Sequence, residues 1–249
     1  MEKILVHSYK GGTGKTTVAV NIASILSLEN NVLLIENDFM MPSFFDIFEC
    51  EPNAYFNDYL NGSANFKEVI EHEVKSNLDV IFTNKKFDPN EKVMSSDQEW
   101  FLSILKQMIT DLNTLEKKYN YVIFDTPPGW HLIVVNLIAL ANKAILILRP
   151  DSYEVSGTKI MLDILYKRAK PIRSWDIYFL FNQVPKVEMK EDLENWAQEL
   201  EKDGMSYAGY ISCSCNIAYE MAHNTKIFPL NHEFNQALQN ALKRVLKSA

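Results

Sequence analysis

Only eight glycines occur in 249 residues, and three of them, Gly11, Gly12 and Gly14, fall within four consecutive positions. They belong to KGGTGKTT, Lys10 to Thr17, which follows the apolar run Ile4 to Val6 and precedes the helix-compatible run VAVNIASIL. Glycines at this spacing let the backbone turn its N–H groups inward around an anion, and a helix starting directly afterwards adds its positive end. A strand, a glycine-rich turn and a helix in that order make a phosphate-binding unit, which belongs at the carboxyl edge of a parallel sheet. No other stretch restricts the fold as much.

The rest of the pattern agrees. Short aliphatic runs recur at Ile4 to Val6, Val32 to Ile35, Leu78 to Phe82, Tyr121 to Phe124, Ala144 to Leu148 and Ile177 to Phe181. They are near-continuous rather than alternating, as in strands buried on both faces. Helical periodicity fills the gaps, at Thr16 to Leu28, Asp97 to Lys118, Ser152 to Arg168, Glu188 to Lys202 and Phe234 to Leu246. Alternating β and α elements predict an α/β fold, a doubly wound and mostly parallel sheet with helices on both faces. With no repeat or linker in the sequence, the expectation is one domain over residues 1–249.

Apolar residues make up 47% and charged residues 23%, enough for a sizeable core and too ordinary to name a function. The formal charge of −7 and the pI of 5.3 argue against a surface coated with positive potential. A local patch near Lys186, Lys190 and Lys226 remains open as a face for DNA, with a scattered solvated surface as the alternative. Three cysteines fit a reducing compartment better than a disulfide framework. The apolar N-terminus is too short for a signal peptide, and Leu132 to Leu148 is interrupted by Asn136, Asn142 and Lys143, so a cytoplasmic location is expected.

Within the loop, Lys15 is placed to reach the β- and γ-phosphates and the Thr16 hydroxyl to ligate Mg²⁺. One position departs from the general pattern: five residues before Gly14 stands Tyr9 instead of glycine. Asp125 ends the apolar run YVIF, which puts a carboxylate at the sheet edge facing that Mg²⁺. Glu36 and Asp38 follow VLLI at the same edge.

KGGTGKTT resembles the deviant Walker A box of the ParA/MinD superfamily, whose additional lysine here is Lys10. The resemblance extends over nearly the whole chain through ENDFMMPS, NDYLNGSANFKEVI, NLDVIFTN, YVIFDTPPG and FLFNQV, in the family's order. It implies the P-loop NTPase fold and slow, partner-stimulated ATP hydrolysis with ATP and Mg²⁺. Gly11, Gly12, Thr13, Gly14, Lys15, Thr16 and Thr17 would bind the nucleotide, with Thr16 and Asp125 at the metal. Lys15 and Asp125 would act in catalysis beside Asp38, the carboxylate that orients the attacking water. The family usually carries aspartate at both 36 and 38, so the extra methylene of Glu36 bears on packing. Lys10 would cross an ATP-dependent homodimer to the partner's nucleotide. The Gly129 N–H would sense the γ-phosphate, and the Asn182 amide would read the adenine edge.

Four functions compete: a ParA-like partition ATPase whose dimer grips non-specific DNA, a MinD-like membrane-associated regulator, a metal- or cluster-insertion ATPase, and a P-loop ligase. Cys213 and Cys215 form a C-x-C pair without a second pair, weak as a metal site. The five histidines lack metal-ligand spacing and read as structural. The amphipathic stretch with Phe234, Leu238, Leu242 and Val245 on one face is expected to pack as the last helix rather than to lie on a membrane.

Overall fold

The structure is a computed structural model, and it describes residues 1–86, 93, 97–167, 176–185, 189–214 and 232–246. The elements are β1 (Glu2–His7), α1 (Lys15–Leu26), β2 (Val32–Glu36), α2 (Phe44–Phe48), α3 (Phe56–Asn61), β3 (Ile70–Lys75) and β4 (Leu78–Ile81). Next come α4 (Gln98–Thr114), β5 (Tyr121–Asp125), α5 (Leu132–Leu140), β6 (Lys143–Leu148) and α6 (Ser152–Met161), which runs on as a π-helical turn, Leu162–Tyr166. The chain continues with β7 (Asp176–Val184), α7 (Lys190–Lys202), β8 (Ser206–Ser212) and α8 (His232–Leu246). Lys186, Cys215, His223 and Lys226 lie outside the described residues.

Among the described residues one sheet of eight strands runs in the order β3-β4-β2-β5-β1-β6-β7-β8. Every pairing is parallel except β3 with β4. β1 is central, with β5 on one side and β6 on the other, and the chain's direction of travel across the sheet changes there. In open α/β sheets that point leaves a crevice beyond the carboxyl ends of the strands, and here the glycine loop opens directly into it.

The unbroken apolar runs follow from burial on two faces. Leu5, Leu33, Ile35, Val122, Phe124, Leu146 and Leu148 point to one core, with residues of α3 to α7. Their neighbours Ile4, Val6, Leu34, Ile123, Ile145 and Ile147 point to the other, with α1, α2 and α8. Alternate side chains of a strand face opposite ways, so a strand covered twice must be apolar at every position.

The expected strands are all present, though β1, β2, β5, β6 and β7 each extend beyond the expected run at one or both ends and β4 stops at Ile81. Two strands and two short helices, β3, β8, α2 and α3, had no expectation. IEHEVK of β3 is charged and mostly outside the core because it is an antiparallel edge strand. SYAGYIS of β8 likewise closes the order at the other end, with one neighbour among the described strands.

On α8, Phe234, Leu238, Leu242 and Val245 are all buried, on α1 and β8, so this apolar face belongs to the core. Lys143, itself buried at the start of β6, donates to the Val245 carbonyl at 2.7 Å and pairs with Glu2 at 2.8 Å. An ammonium on the last-turn carbonyls of a helix complements its negative end. Among the described residues no helix is long and apolar enough to cross a membrane.

Candidate functional site

The loop from Lys10 to Gly14 leaves β1 and enters α1 through Gly14, whose φ of 83° is the left-handed conformation glycine adopts without strain. Position 14 has no room for a side chain either, since a Cβ there would stand 2.4 Å from Asn182 Nδ2. α1 has no side-chain cap, so its first N–H groups are left for an anion. The Thr13 hydroxyl is buried without a hydrogen-bond partner among the described residues. A cavity of about 430 Å³ lies over this loop, and Asp38, Met40, Met41, Pro127, Pro128 and His131 complete its wall.

Lys15, which lines it, and Asp125 behind it are both buried and face each other, Nζ to Oδ1 at 3.4 Å. Burial pushes the Asp125 carboxyl up from its ordinary value, while the Lys15 charge and a hydrogen bond from the Thr16 side chain draw it down. Lys15, Thr16 and Asp125, which lie on two different elements, are thus brought together at the ends of neighbouring strands. Asp38 shares the cavity and is held by N–H bonds from Met40 at 3.2 Å and Met41 at 3.0 Å.

Glu36 does something the sequence did not suggest. It ends β2 fully inside the protein, where Oε1 accepts from the N–H groups of Ser43 (2.6 Å) and Phe44 (2.9 Å) and Oε2 from that of Thr83 (3.0 Å). The carboxylate thus fixes the start of α2 and the end of β4 at once. Burial pushes its carboxyl up to about 8 in spite of the three donors. The expectation of Glu36 as an edge-facing partner of Asp38 is corrected: it is a bracket. Its partner Thr83 is too distant in sequence to have been foreseen.

Gly129 uses both of its backbone polar groups in this conformation. Its N–H donates to the Ser8 carbonyl at 2.9 Å, so in this conformation it is committed to the glycine loop's base. Its carbonyl lies 3.0 Å from His7 Nε2. His7 is wholly buried, and desolvation holds its pKa down to about 3, so the ring is neutral. A carbonyl can only accept, so Nε2 carries the proton and Nδ1 accepts from the Tyr166 hydroxyl at 3.0 Å. The turn Pro127 to Gly129 is thereby connected through His7 to the π-helical turn after α6, a feature often found near functional sites.

Asn182 lies between the loop and a second cavity of about 420 Å³ that continues past Gly12 and Gly14 to Ile211, Ser212, Cys213 and Phe234. Its amide N–H donates to the Thr13 carbonyl at 2.8 Å. Its neighbour Gln183, with a φ of 60°, donates to the Gly12 carbonyl at 3.2 Å and accepts from Arg149 Nε at 3.0 Å. β7 therefore braces the loop from outside. Sequence reasoning overlooked Gln183 and Arg149, and only the positive φ, invisible in sequence, marks the site.

Lys10 is exposed and does not line the cavity of its own loop. Its ammonium stands 5.8 Å from the Tyr9 ring centre and 5.7 Å from that of Tyr153. Cys213 is exposed and free, and among the described residues no group of three or more His, Cys, Asp or Glu side chains is placed to hold a metal ion.

Comparison with known proteins gives a consistent picture. The profile of the AAA domain family matches residues 1–174. A ParA family protein of Chlamydia muridarum is 29% identical over 161 residues, 63% of this chain and 62% of that one. The chain spans about three fifths of the length of the curated relatives it matches first. A protein assigned to plasmid partition in Borrelia burgdorferi B31, solved bound to AMPPNP, shares the fold with a TM-score of 0.80 at 24% identity, covering 100% of this chain and 99% of its own. The cell division ATPase MinD of Pyrococcus furiosus does so with a TM-score of 0.76 at 20% identity, covering 100% and 99%.

Proposed function

Because the chain belongs to the AAA domain family and is similar to ParA family proteins, we propose that it is a ParA/MinD-type ATP-driven switch that dimerises around ATP, hydrolyses it slowly and acts in DNA partition or intracellular positioning. The observation that carries this reading is the meeting of Lys15, Thr16 and Asp38 around one cavity, with Asp125 against Lys15 and Thr16, beside an uncapped helix N-terminus.

The residues present fit both groups of Mg-ATP. The loop's free N–H groups and the orphaned Thr13 hydroxyl suit phosphate oxygens. Thr16 and Asp125 offer the hard oxygen ligands that Mg²⁺ takes together with phosphate. Bound there, Mg²⁺ would neutralise charge on the β- and γ-phosphates. Lys15 would exchange Asp125 for those phosphates, so its charge is positioned before nucleotide arrives. Asp38, anchored by two backbone N–H bonds, would orient water towards the γ-phosphorus. The Gly129 N–H would leave Ser8 for the γ-phosphate, and that rearrangement is the switch. Asn182 keeps its Oδ1 for the exocyclic amine of adenine while its N–H holds Thr13. Lys10, directed away from its own cavity, would enter that of a second copy and stabilise charge there as an arginine finger does, with an effect of roughly 10³ to 10⁵ in rate.

The test is sedimentation of the wild type and Lys10→Ala, each with Mg-ATP or Mg-ADP, with and without plasmid DNA. The expected result is an ATP-only dimer, lost in the variant, that pellets with DNA at low salt. A chain that stays monomeric with Mg-ATP refutes the switch. A dimer that ignores DNA moves the reading to MinD-like positioning, for which the likeness to the P. furiosus fold speaks. The apolar face of α8 is taken up by the core, so it is not the surface that such positioning would use.

A further inference from the structure

Tyr9, which replaces a glycine of the general loop pattern, is packed against α6. Its ring lies so close to the helix backbone that a Cβ at Gly157 would stand 2.0 Å from Tyr9 Cε1. The residue after it, Lys10, is thereby carried to the first turn of α6, between the Tyr9 and Tyr153 rings.

Beside Tyr153 sits Glu154, buried, with Oε2 lacking a hydrogen-bond partner among the described residues. Burial pushes its carboxyl up, and the charges of Lys10 and Arg149 pull it back, against Asp151. A buried carboxylate oxygen without a donor is costly, and nearby cations are what offset the cost. Of the two, Arg149 is tied by Nε to Gln183 at 3.0 Å. Among the described residues the Lys10 ammonium has only its ring contacts and this longer-range attraction, so it is the cation placed to leave.

We propose that Glu154 is a positioning residue, the resting counter-charge that parks Lys10 over Tyr9 and Tyr153 and must release it before it reaches the nucleotide of a second copy. The proposal rests on the trans-lysine reading above. Parking stabilises the separate protomers and not the dimer, so removing the charge of Glu154 strengthens dimerisation. A partly exposed charge pair of this kind accounts for roughly two- to five-fold per protomer, hence roughly four- to twenty-five-fold for a symmetric dimer.

The experiment is sedimentation equilibrium of the full chain in Mg-AMPPNP for wild type, Lys10→Ala and Glu154→Gln, a substitution close to isosteric. Alongside it, the NMR signal of ¹³C-dimethylated Lys10 is followed in the nucleotide-free protein. The expected result is a tighter Glu154→Gln dimer within that range, and a Lys10 signal that the rings displace in wild type and that moves towards that of a solvated lysine in the variant. A Glu154→Gln dimer equal to or weaker than wild type overturns the proposal. So does an unmoved Lys10 signal, whatever the dimer does. If Lys10→Ala dimerises like wild type, the trans-lysine reading falls instead, and the NMR shift alone decides whether Glu154 parks the lysine.

Discussion

Replacing Gly157 by alanine separates two effects of opposite sign. Gly157 lies in the middle of α6 and has no positive φ, so on helix propensity alone alanine gains about 1 kcal/mol. The added methyl, however, would stand 2.0, 2.2 and 2.6 Å from three atoms of the Tyr9 ring, where ordinary contact begins near 3.4 Å. The ring has to retreat by 1.4 Å or more, the difference between 3.4 and 2.0. Moving it out of its half-buried seat forfeits about 2 kcal/mol of apolar contact. The net expectation is destabilisation by about 1 kcal/mol in the wild type. In a Tyr9→Ala background the clash is absent, so the same substitution stabilises by about 1 kcal/mol, a coupling near 2 kcal/mol. Urea unfolding of the four proteins of this cycle measures it. Equal effects of Gly157→Ala in both backgrounds would refute the packing of Tyr9 on α6, and with it the account of how Lys10 is placed.

Glu36 makes stability depend on pH: its carboxyl binds a proton more readily folded, near 8, than unfolded, near 4.5, so its favourable contribution is complete below pH 4.5 and is lost as pH rises through 8. Urea midpoints taken across that window are expected to fall for wild type relative to Glu36→Gln; parallel curves would show that Glu36 is not the group responsible. His7→Ala strands the Gly129 carbonyl in a buried space, takes the imidazole from the Tyr166 hydroxyl and is expected to cost about 2–4 kcal/mol in chemical denaturation, a loss under 1 kcal/mol counting against the linkage. Lys143→Met removes the buried ammonium from the Val245 carbonyl and from Glu2, and a loss of about 2–4 kcal/mol is expected with α8 opening first in hydrogen exchange. Lys15→Ala is expected to abolish the rise in melting temperature that Mg-ATP gives the wild type; an undiminished rise would place the nucleotide elsewhere.

Local chemistry explains why so much of the fold was legible. A run such as VLLI, apolar at every position, has one stable use, a strand covered on both faces, and alternation with helices leaves few topologies. KGGTGKTT identified its own conformation because glycines at 12 and 14 adopt left-handed backbone that other residues avoid. Asp125 stands at the end of β5, facing Lys15, because strand direction and length are local properties.

Charge and contact across the sheet were decided only by tertiary structure. Glu36, one methylene longer than aspartate, reads in sequence as a second carboxylate beside Asp38; folding turns it inward to N–H groups of Ser43, Phe44 and Thr83, which no local rule brings together. Gly129 and His7 are 122 residues apart, and their hydrogen bond exists because β1 and β5 are neighbours in the sheet. Lys10 could be identified from its place in the loop, yet where its ammonium points depends on Tyr9, Tyr153 and Glu154, and so on how α6 docks. The sequence by itself determined the strand, loop and helix that make a phosphate site, since backbone conformation and burial pattern are written residue by residue. Which carboxylate serves the ligand, which braces the fold and which restrains the lysine depends on desolvation and distance between segments, and these acquire values only when the chain has closed on itself.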